Sequence, residues 1–242
     1  MLENLGKTPH QSYEYKHFIN PKEREKIFNA IKLLSEYIIK NDIYNLILID
    51  NAARLVYVGL KEYLKLKYPE KTDLKIYFIN PAGFVAKENN LNENIKQSIL
   101  GTVYDKKDIL LKSREEISQE FQNTYTELLE NKYGNTLLFD VCSHTGTTIK
   151  TVKEILSKFI PNIKVGIFHF DPQGDMDVKI DFSLKNICTN CFPFGNENLT
   201  CKGRGNTRNI YSEPLDTFKN KSKIIRFELK HIIQEEIEKN NV

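Results

Sequence analysis

Hydrophobic side chains follow two different spacings near the start of the chain. Residues 44–50, YNLILID, form a nearly unbroken apolar run of strand length, which is typical of a parallel strand that is covered on both faces. Residues 21–40 instead begin with a proline, which the first turn of a helix permits, and carry apolar residues three or four positions apart, at Ile27, Ile31, Leu34 and Ile38. The pattern predicts an amphipathic helix that leads into a buried strand.

Strand-like and helix-like segments then alternate along the chain. The predicted elements are a helix over 55–68, a strand over 74–80, a largely helical polar segment over 91–132, a strand over 136–141, a helix over 148–159 and a strand over 165–171. This order predicts an α/β fold with a Rossmann-like, mostly parallel sheet, right-handed crossovers and flanking helices.

The end of the chain has a different composition. The stretch 172–222 is rich in Asn, Gly, Pro and Cys, and a charged helix, preceded by a strand or a helix start, is predicted over 223–239. We expect a single domain over residues 1–242, with a core at about 40–171 and a variable C-terminal hood at about 172–242.

Charge and hydropathy limit the kinds of binding partner that the sequence suggests. The chain has 35 basic and 32 acidic residues, a formal charge of +3, so charge gives no reason to expect nucleic acid or an anionic membrane surface as a partner. No apolar run approaches the roughly 18–20 residues that span a bilayer, and the N-terminus lacks the order of a signal peptide. We expect a soluble cytoplasmic protein with reduced cysteines.

The loop after the predicted strand 136–141 has the composition of a phosphate site. In LLFDVCSHTGTTIK, Asp140 stands at the predicted strand end, and a turn with Gly146 among threonines opens a helix. Unpaired N–H groups and the positive end of a helix dipole attract phosphate there, and glycine lets the backbone approach closely. An ordinary helix start, capped by Thr145 or Thr147, explains the same residues.

The segment FDVCSHTGTT resembles the phosphoribosyl pyrophosphate motif of type I phosphoribosyltransferases, in which an apolar strand precedes two acids, two variable residues, an acid and Thr-Gly-any-Thr. Asp140 matches the first acid. The resemblance implies a type I phosphoribosyltransferase fold, with Mg²⁺ bound together with the substrate and Asp140 at the ribose hydroxyls. It also implies a turn over 143–148 that holds the 5′-phosphate, namely Ser143, Thr145, Gly146, Thr147 and Thr148.

The chain departs from that motif at two positions. Val141 replaces the second acid, and His144 replaces the third. A histidine titrates near neutral pH, so His144 is a candidate proton carrier in catalysis, and an exposed turn histidine without a role is the alternative.

A second loop follows the first predicted strand, where the family has its pyrophosphate loop. Small side chains at Asn51, Ala52 and Ala53 let backbone N–H groups reach pyrophosphate oxygens, and Arg54 can contact them in bidentate fashion. The alternative is a capped turn with a solvated Arg54. The order of the two loops along the chain matches the family.

Other candidate residues lie outside these two loops. The family closes a flexible loop over the pyrophosphate, and Lys106, Lys107 or Arg114 can supply charge from the corresponding interval, unless it is a helical surface insertion. Arg204 and Arg208 lie among glycines and can reach a phosphate or base, or belong to a solvated loop. Cys188, Cys191 and Cys201 offer three zinc ligands without a fourth nearby, so free cysteines are favoured over zinc, and no metal ligand is assigned.

The resemblance implies a protein that binds phosphoribosyl pyrophosphate and transfers its phosphoribosyl group to a nitrogenous base, releasing pyrophosphate. The alternative is a non-catalytic binder of the same compound or of a nucleotide, which Val141 and His144 favour and the second loop opposes. A haloacid-dehalogenase-like phosphatase needs an acid where Cys142 stands, and neither GxGxxG nor a Walker motif is present. The base and a homodimeric assembly stay open.

Overall fold

The computed structural model describes residues 13–49, 53–71, 73–79, 114–130, 134–143, 147–170, 178–184 and 216–240. The helices and strands in these ranges are α1 (Pro21–Lys40), β1 (Ile43–Ile49), α2 (Ala53–Lys67), β2 (Lys75–Ile79), α3 (Arg114–Thr124), α4 (Thr126–Glu130), β3 (Asn135–Ser143), α5 (Thr147–Leu156), β4 (Ile163–Phe170), β5 (Phe182–Ser183) and α6 (Asp216–Lys239).

The strands form one five-stranded sheet in the order β2-β1-β3-β4-β5, and every neighbouring pair is parallel. Helices cover both faces of this sheet. The predicted fold class, an α/β protein with a parallel sheet flanked by helices, is confirmed. β5 is an addition, because the sequence pattern predicts no strand near residue 182.

Helix α1 has the bounds predicted for it. The side chain of Asn20 accepts a hydrogen bond from the Lys22 N–H at 3.0 Å, and Pro21 occupies the first turn, where its missing N–H costs nothing. Its four periodic residues are all buried, namely Ile27, Ile31, Leu34 and Ile38. The helix ends at a turn in which Asp42 adopts a left-handed conformation, φ 47°.

Alternate residues of the strands serve two separate cores. Leu46 and Leu48 of β1 pack with α1, α2 and α6 on one face, which we call the first core. Ile47 and Ile49 point to the other face and pack with α3, α4 and α5 in the second core. Both faces of the central strands are therefore buried, which explains their nearly continuous apolar sequences.

Helix α6 is one continuous helix that begins at Asp216, earlier than the predicted start at residue 223. Residues 223–239 are helical throughout, so the strand considered for the beginning of this segment is not formed. It lies against α1 and α2, and its apolar stripe belongs to the first core: Ile225, Leu229, Ile232, Ile233 and Ile237. Residues 185–215 lie outside the described residues, so the division into core and hood stays a prediction.

The segment before α1 is fastened to α6 by a buried carboxylate. Glu228 is 0% exposed and accepts hydrogen bonds from the backbone N–H groups of Lys16, His17 and Phe18 at 2.6, 3.0 and 3.2 Å. The Tyr13 hydroxyl lies 3.5 Å from the same carboxylate. Within the described residues, no helix has both the length and the apolar character needed to cross a membrane.

Candidate functional site

The strand order creates a reversal between β1 and β3. From β1 the chain passes through α2, which packs on the first core, to β2 on one side. From β3 it passes through α5, which packs on the second core, to β4 on the other side. The carboxyl ends of β1 and β3 are thus adjacent, and the helices that follow them, α2 and α5, lie on opposite faces of the sheet. Such switch points open the crevice in which α/β sheets bind ligands.

Asp140 lies beside this crevice. Phe139 pairs with Leu48, which puts Asp140 level with Ile49, the last residue of β1. The sequence pattern places the strand end at Asp140, whereas β3 continues to Ser143 and pairs with β4 as far as Phe170. Asp140 is therefore beside the end of β1 rather than at the tip of its own strand.

The side chain of Asp140 is half-buried on the face of the second core, because Leu138 belongs to that core and side chains alternate along a strand. Helix α5 packs on the same face, and its first turn follows loop 144–146. The carboxylate and the start of α5 thus lie on one side of the sheet. One carboxylate oxygen, Oδ1, accepts the Val141 N–H at 2.7 Å.

Val141 shows what the departure from the acidic motif does to the site. Its side chain is 7% exposed and packs in the first core, on the opposite face from Asp140. An acid at this position would have to be buried among apolar side chains. The chain therefore presents a single carboxylate where the family motif has an adjacent pair.

The first turn of helix α5 lies at the crevice end of the sheet, just after the end of β3. Ile149, Val152 and Leu156 are buried in the second core and anchor the helix against the sheet, while the Thr148 side chain is exposed. The helix begins at Thr147, one residue before the predicted position, and the predicted turn stays a prediction. His144, Thr145 and Gly146 lie outside the described residues, as do the side chains of Ser143 and Thr147.

Arg54 is held at the same edge of the sheet. Its guanidinium carbon lies 4.8 Å from the centroid of the Phe78 ring, and Phe78 is the penultimate residue of β2. Tyr57 packs edge-on against that ring with centroids 5.5 Å apart. A cation over an aromatic face is stabilised by the ring quadrupole. Arg54 is thereby kept near the carboxyl ends of β1 and β2, beside Ala53, which is fully buried at the start of α2.

The sequence does not predict that Phe78 and Tyr57 support Arg54. Tyr125, between α3 and α4, adds to it, because its hydroxyl donates a hydrogen bond of 2.6 Å to the Phe78 carbonyl. The one feature of the sequence that could have indicated this contact is an aromatic residue, Phe78, near the end of an apolar strand. Nothing in the sequence pairs that residue with Arg54, because the contact joins two elements.

No protein-family model matches the sequence, and no curated protein matches it. Three similar solved structures are phosphoribosyltransferases. The purine phosphoribosyltransferase of Pyrococcus horikoshii Ot3 has 16% identity and a TM-score of 0.39, covering 66% of this chain and 81% of that one. A hypoxanthine phosphoribosyltransferase of Staphylococcus aureus has 17% identity and a TM-score of 0.40, covering 68% and 75%. A hypoxanthine-guanine-xanthine phosphoribosyltransferase has 16% identity and a TM-score of 0.39, covering 66% and 73%.

The remaining candidates fall largely outside the described residues. These are Asn51, Ala52, Lys106, Lys107, Cys188, Cys191, Cys201, Arg204 and Arg208. Arg114 is the first residue of α3, and its side chain is outside the described part. Over the described ranges, no group of three or more His, Cys, Asp or Glu side chains is arranged to hold a metal ion. A single carboxylate such as Asp140 still suits Mg²⁺, which often takes its other ligands from substrate oxygens and water.

Proposed function

We propose that the chain binds phosphoribosyl pyrophosphate with Mg²⁺ in the crevice between β1 and β3. There it transfers the phosphoribosyl group to a nitrogenous base. The observation that carries the proposal is the switch point: the two loops with phosphate-binding composition leave adjacent strands there, and Asp140 lies level with the end of β1. Two phosphate-bearing ends of one ligand need two such loops at one crevice.

Each part of the site then has a role. The turn Ser143–Thr148, with Thr145, Gly146 and Thr147, holds the 5′-phosphate at the start of α5. Asp140 accepts hydrogen bonds from the ribose hydroxyls and holds Mg²⁺ directly or through a water molecule, together with ligand oxygens. Asn51, Ala52 and Ala53 offer backbone N–H groups to the pyrophosphate, and Arg54 adds its guanidinium charge.

The reaction joins a base nitrogen to the anomeric carbon while the bond from that carbon to the pyrophosphate oxygen breaks. The proton that the base nitrogen loses passes to His144, and the electron pair of the broken bond leaves with pyrophosphate. The transition state carries positive charge on the sugar ring. Positioning of the two reactants and stabilisation of charge supply most of the rate enhancement.

A second candidate function is binding of the same ligand without turnover. The burial of Val141 in the first core favours it, because the site then lacks the second of the two adjacent carboxylates. Less negative charge beside the ribose weakens stabilisation of a cationic transition state, whereas it does not weaken the Coulomb attraction of the site for an anionic ligand.

Calorimetric titration with phosphoribosyl pyrophosphate and Mg²⁺ tests binding. Asp140→Ala and Thr145→Ala are each expected to weaken binding by about tenfold or more, since each removes hydrogen bonds to a charged ligand. Glu154→Ala is the matched control: it removes a carboxylate from the exposed side of α5, away from the crevice, and should leave the affinity unchanged. A folded natural protein that gives no heat of binding would refute both candidates.

Release of pyrophosphate then separates the two candidates. Release that requires an added purine or pyrimidine, and that falls strongly in His144→Ala, supports the transferase. Tight binding without release with any tested base, in a protein whose affinity depends on Asp140, supports the binding protein instead.

A further inference from the structure

A second concave surface lies along α2, from Tyr57, which also packs against Phe78, to the end of the helix farther from the candidate site. It is a groove of about 510 Å³ between the last three turns of α2 and the first residues of β2, the outermost strand on that side of the sheet. This volume is within the range that takes a small organic ligand. The described residues that line it are Tyr57, Lys61, Leu64, Lys65, Tyr68, Pro69, Lys71, Leu74, Lys75 and Ile76.

The described charged residues that line this groove are all basic. Four of the described lining residues are lysines, and none of them is acidic. Two of the lysines are held by carboxylates that are not among the lining residues: the Lys71 Nζ lies 3.3 Å from Asp42 and 3.1 Å from Asp73, and the Lys75 Nζ lies 3.0 Å from Glu127. These contacts hold two of the four ammonium groups in place and offset their charge.

The other two lysines lie on α2 with no acid of their own helix beside them. Lys61 and Lys65 are exposed and one turn apart, an arrangement of like charges that weakens a helix slightly. Glu62 is the sole acid in the sequence of α2, and it is turned the other way, 7% exposed, where it accepts a 2.8 Å hydrogen bond from Gln234 of α6. The helix thus directs its acid into the interior and its two lysines into the groove.

The walls of the groove are apolar and aromatic. Leu64, Leu74 and Ile76 supply aliphatic surface, and two tyrosine rings, Tyr57 and Tyr68, lie along the same side of α2. Lysines beside aliphatic and aromatic side chains suit a ligand with a flat apolar body and an anionic group. Charge alone attracts many anions, whereas the rings and the apolar walls of the groove favour those that carry such a body.

We propose that this groove is a binding site for a small organic anion with a flat ring, of which a nucleoside monophosphate is a representative. Lys61 and Lys65 contact the anionic group, and the tyrosine-bearing wall contacts the ring. The site is separate from the crevice between β1 and β3 and does not depend on the function proposed there.

Titration of the full chain with AMP tests the site, with inorganic phosphate and adenosine as the two halves of the probe. We expect saturable binding of AMP, and binding at least about tenfold weaker for either half. The double variant Lys61→Gln/Lys65→Gln should weaken AMP binding by about tenfold or more, since it removes two charged donors. Lys158→Gln, an exposed lysine beyond the end of α5, is the control and should bind AMP as the natural chain does.

Photolabelling with azido-AMP distinguishes this groove from the crevice. The label is expected in the peptide that contains Tyr57 to Tyr68, and both label and affinity should persist in Asp140→Ala. Four results overturn the proposal: no saturable AMP binding, AMP affinity that survives the double lysine change, AMP binding that is lost in Asp140→Ala, or phosphate that binds as tightly as AMP. In the last case the groove would select charge alone.

Discussion

Glu228 connects the segment before α1 to the last helix, and its removal is expected to loosen that connection. The side chain is fully buried and accepts three consecutive backbone N–H groups, those of Lys16, His17 and Phe18. Glu228→Ala removes every acceptor from this position. Glu228→Gln keeps one carbonyl oxygen but turns an amide group toward the N–H donors.

The expected cost follows from the burial. Hydrogen bonds to a charged acceptor each contribute about 1.5–3 kcal/mol, and a buried donor left without a partner costs about 1–3 kcal/mol. The N–H groups of Lys16 and His17 are only part-buried, so water replaces some of what they lose. We therefore expect Glu228→Ala to lower the free energy of unfolding by about 3–5 kcal/mol, in the range found when a buried charged network loses one member. Glu228→Gln should cost about half as much.

Thermal and urea unfolding measure this directly. For a chain of this size, the change corresponds to a Tm lower by roughly 6–20 °C in Glu228→Ala. Glu238→Ala is the control, since Glu238 is exposed on the same helix. Amide exchange at residues 16–18 supplies a local readout: it should accelerate in the Glu228 variants only. The reasoning is refuted if both alanine variants have the same Tm, or if exchange at these amides does not change.

Two further predictions concern tyrosines. The Tyr77 hydroxyl is buried without a hydrogen-bond partner in the described structure, whereas the Tyr125 hydroxyl donates to the Phe78 carbonyl at 2.6 Å, so Tyr77→Phe should leave Tm unchanged or higher and Tyr125→Phe should lower stability by about 1 kcal/mol. Equal destabilisation of the two variants in thermal unfolding would contradict this. Burial, reinforced by nearby acidic groups, raises the pKa of Tyr63 to about 12 and that of Tyr77 to about 12. The unfolded chain releases these protons near pH 10 and the folded chain keeps them, so stability is full below pH 10 and falls between pH 10 and 12. Urea midpoints that stay constant over that interval would disprove it.

Elements whose signals are local were predicted well. Helix α1 is predicted at its observed bounds because Asn20, Pro21 and the apolar spacing all act within the helix itself. The strand β5 was missed, although Ile180, Phe182 and Leu184 alternate, because two paired residues at the edge of a sheet leave too short a pattern. Glu228 was also missed: a charged residue indicates a solvent-facing position, and the N–H groups that satisfy it lie more than 200 residues away in the sequence.

The candidate site divides in the same way. A turn sequence such as TGTT is local, so the sequence alone places a short loop and a helix start near residue 147, and α5 begins there. The position of Asp140 depends instead on register. The extension of β3 to Ser143 is stabilised by pairing with β4 as far as Phe170, and no local signal at Asp140 predicts that pairing.

The strand order of the sheet also decides which loops follow neighbouring strands. Loops 50–52 and 144–146 are separated by about ninety residues of sequence, and the strands they follow are neighbours because β3 pairs directly with β1 on the side away from β2. Had β3 paired beyond β2, a whole strand would separate the loops, and one ligand could not reach both. The strand order is therefore the feature on which binding of the proposed ligand depends most.

Asp140 and Arg54 are positioned by separate contacts: Asp140 by the register of β3 and Arg54 by the Phe78 ring. Either residue can therefore be changed without moving the other. Additive losses of affinity in Asp140→Ala and Arg54→Ala would follow from this arrangement, with each acting on its own end of the ligand.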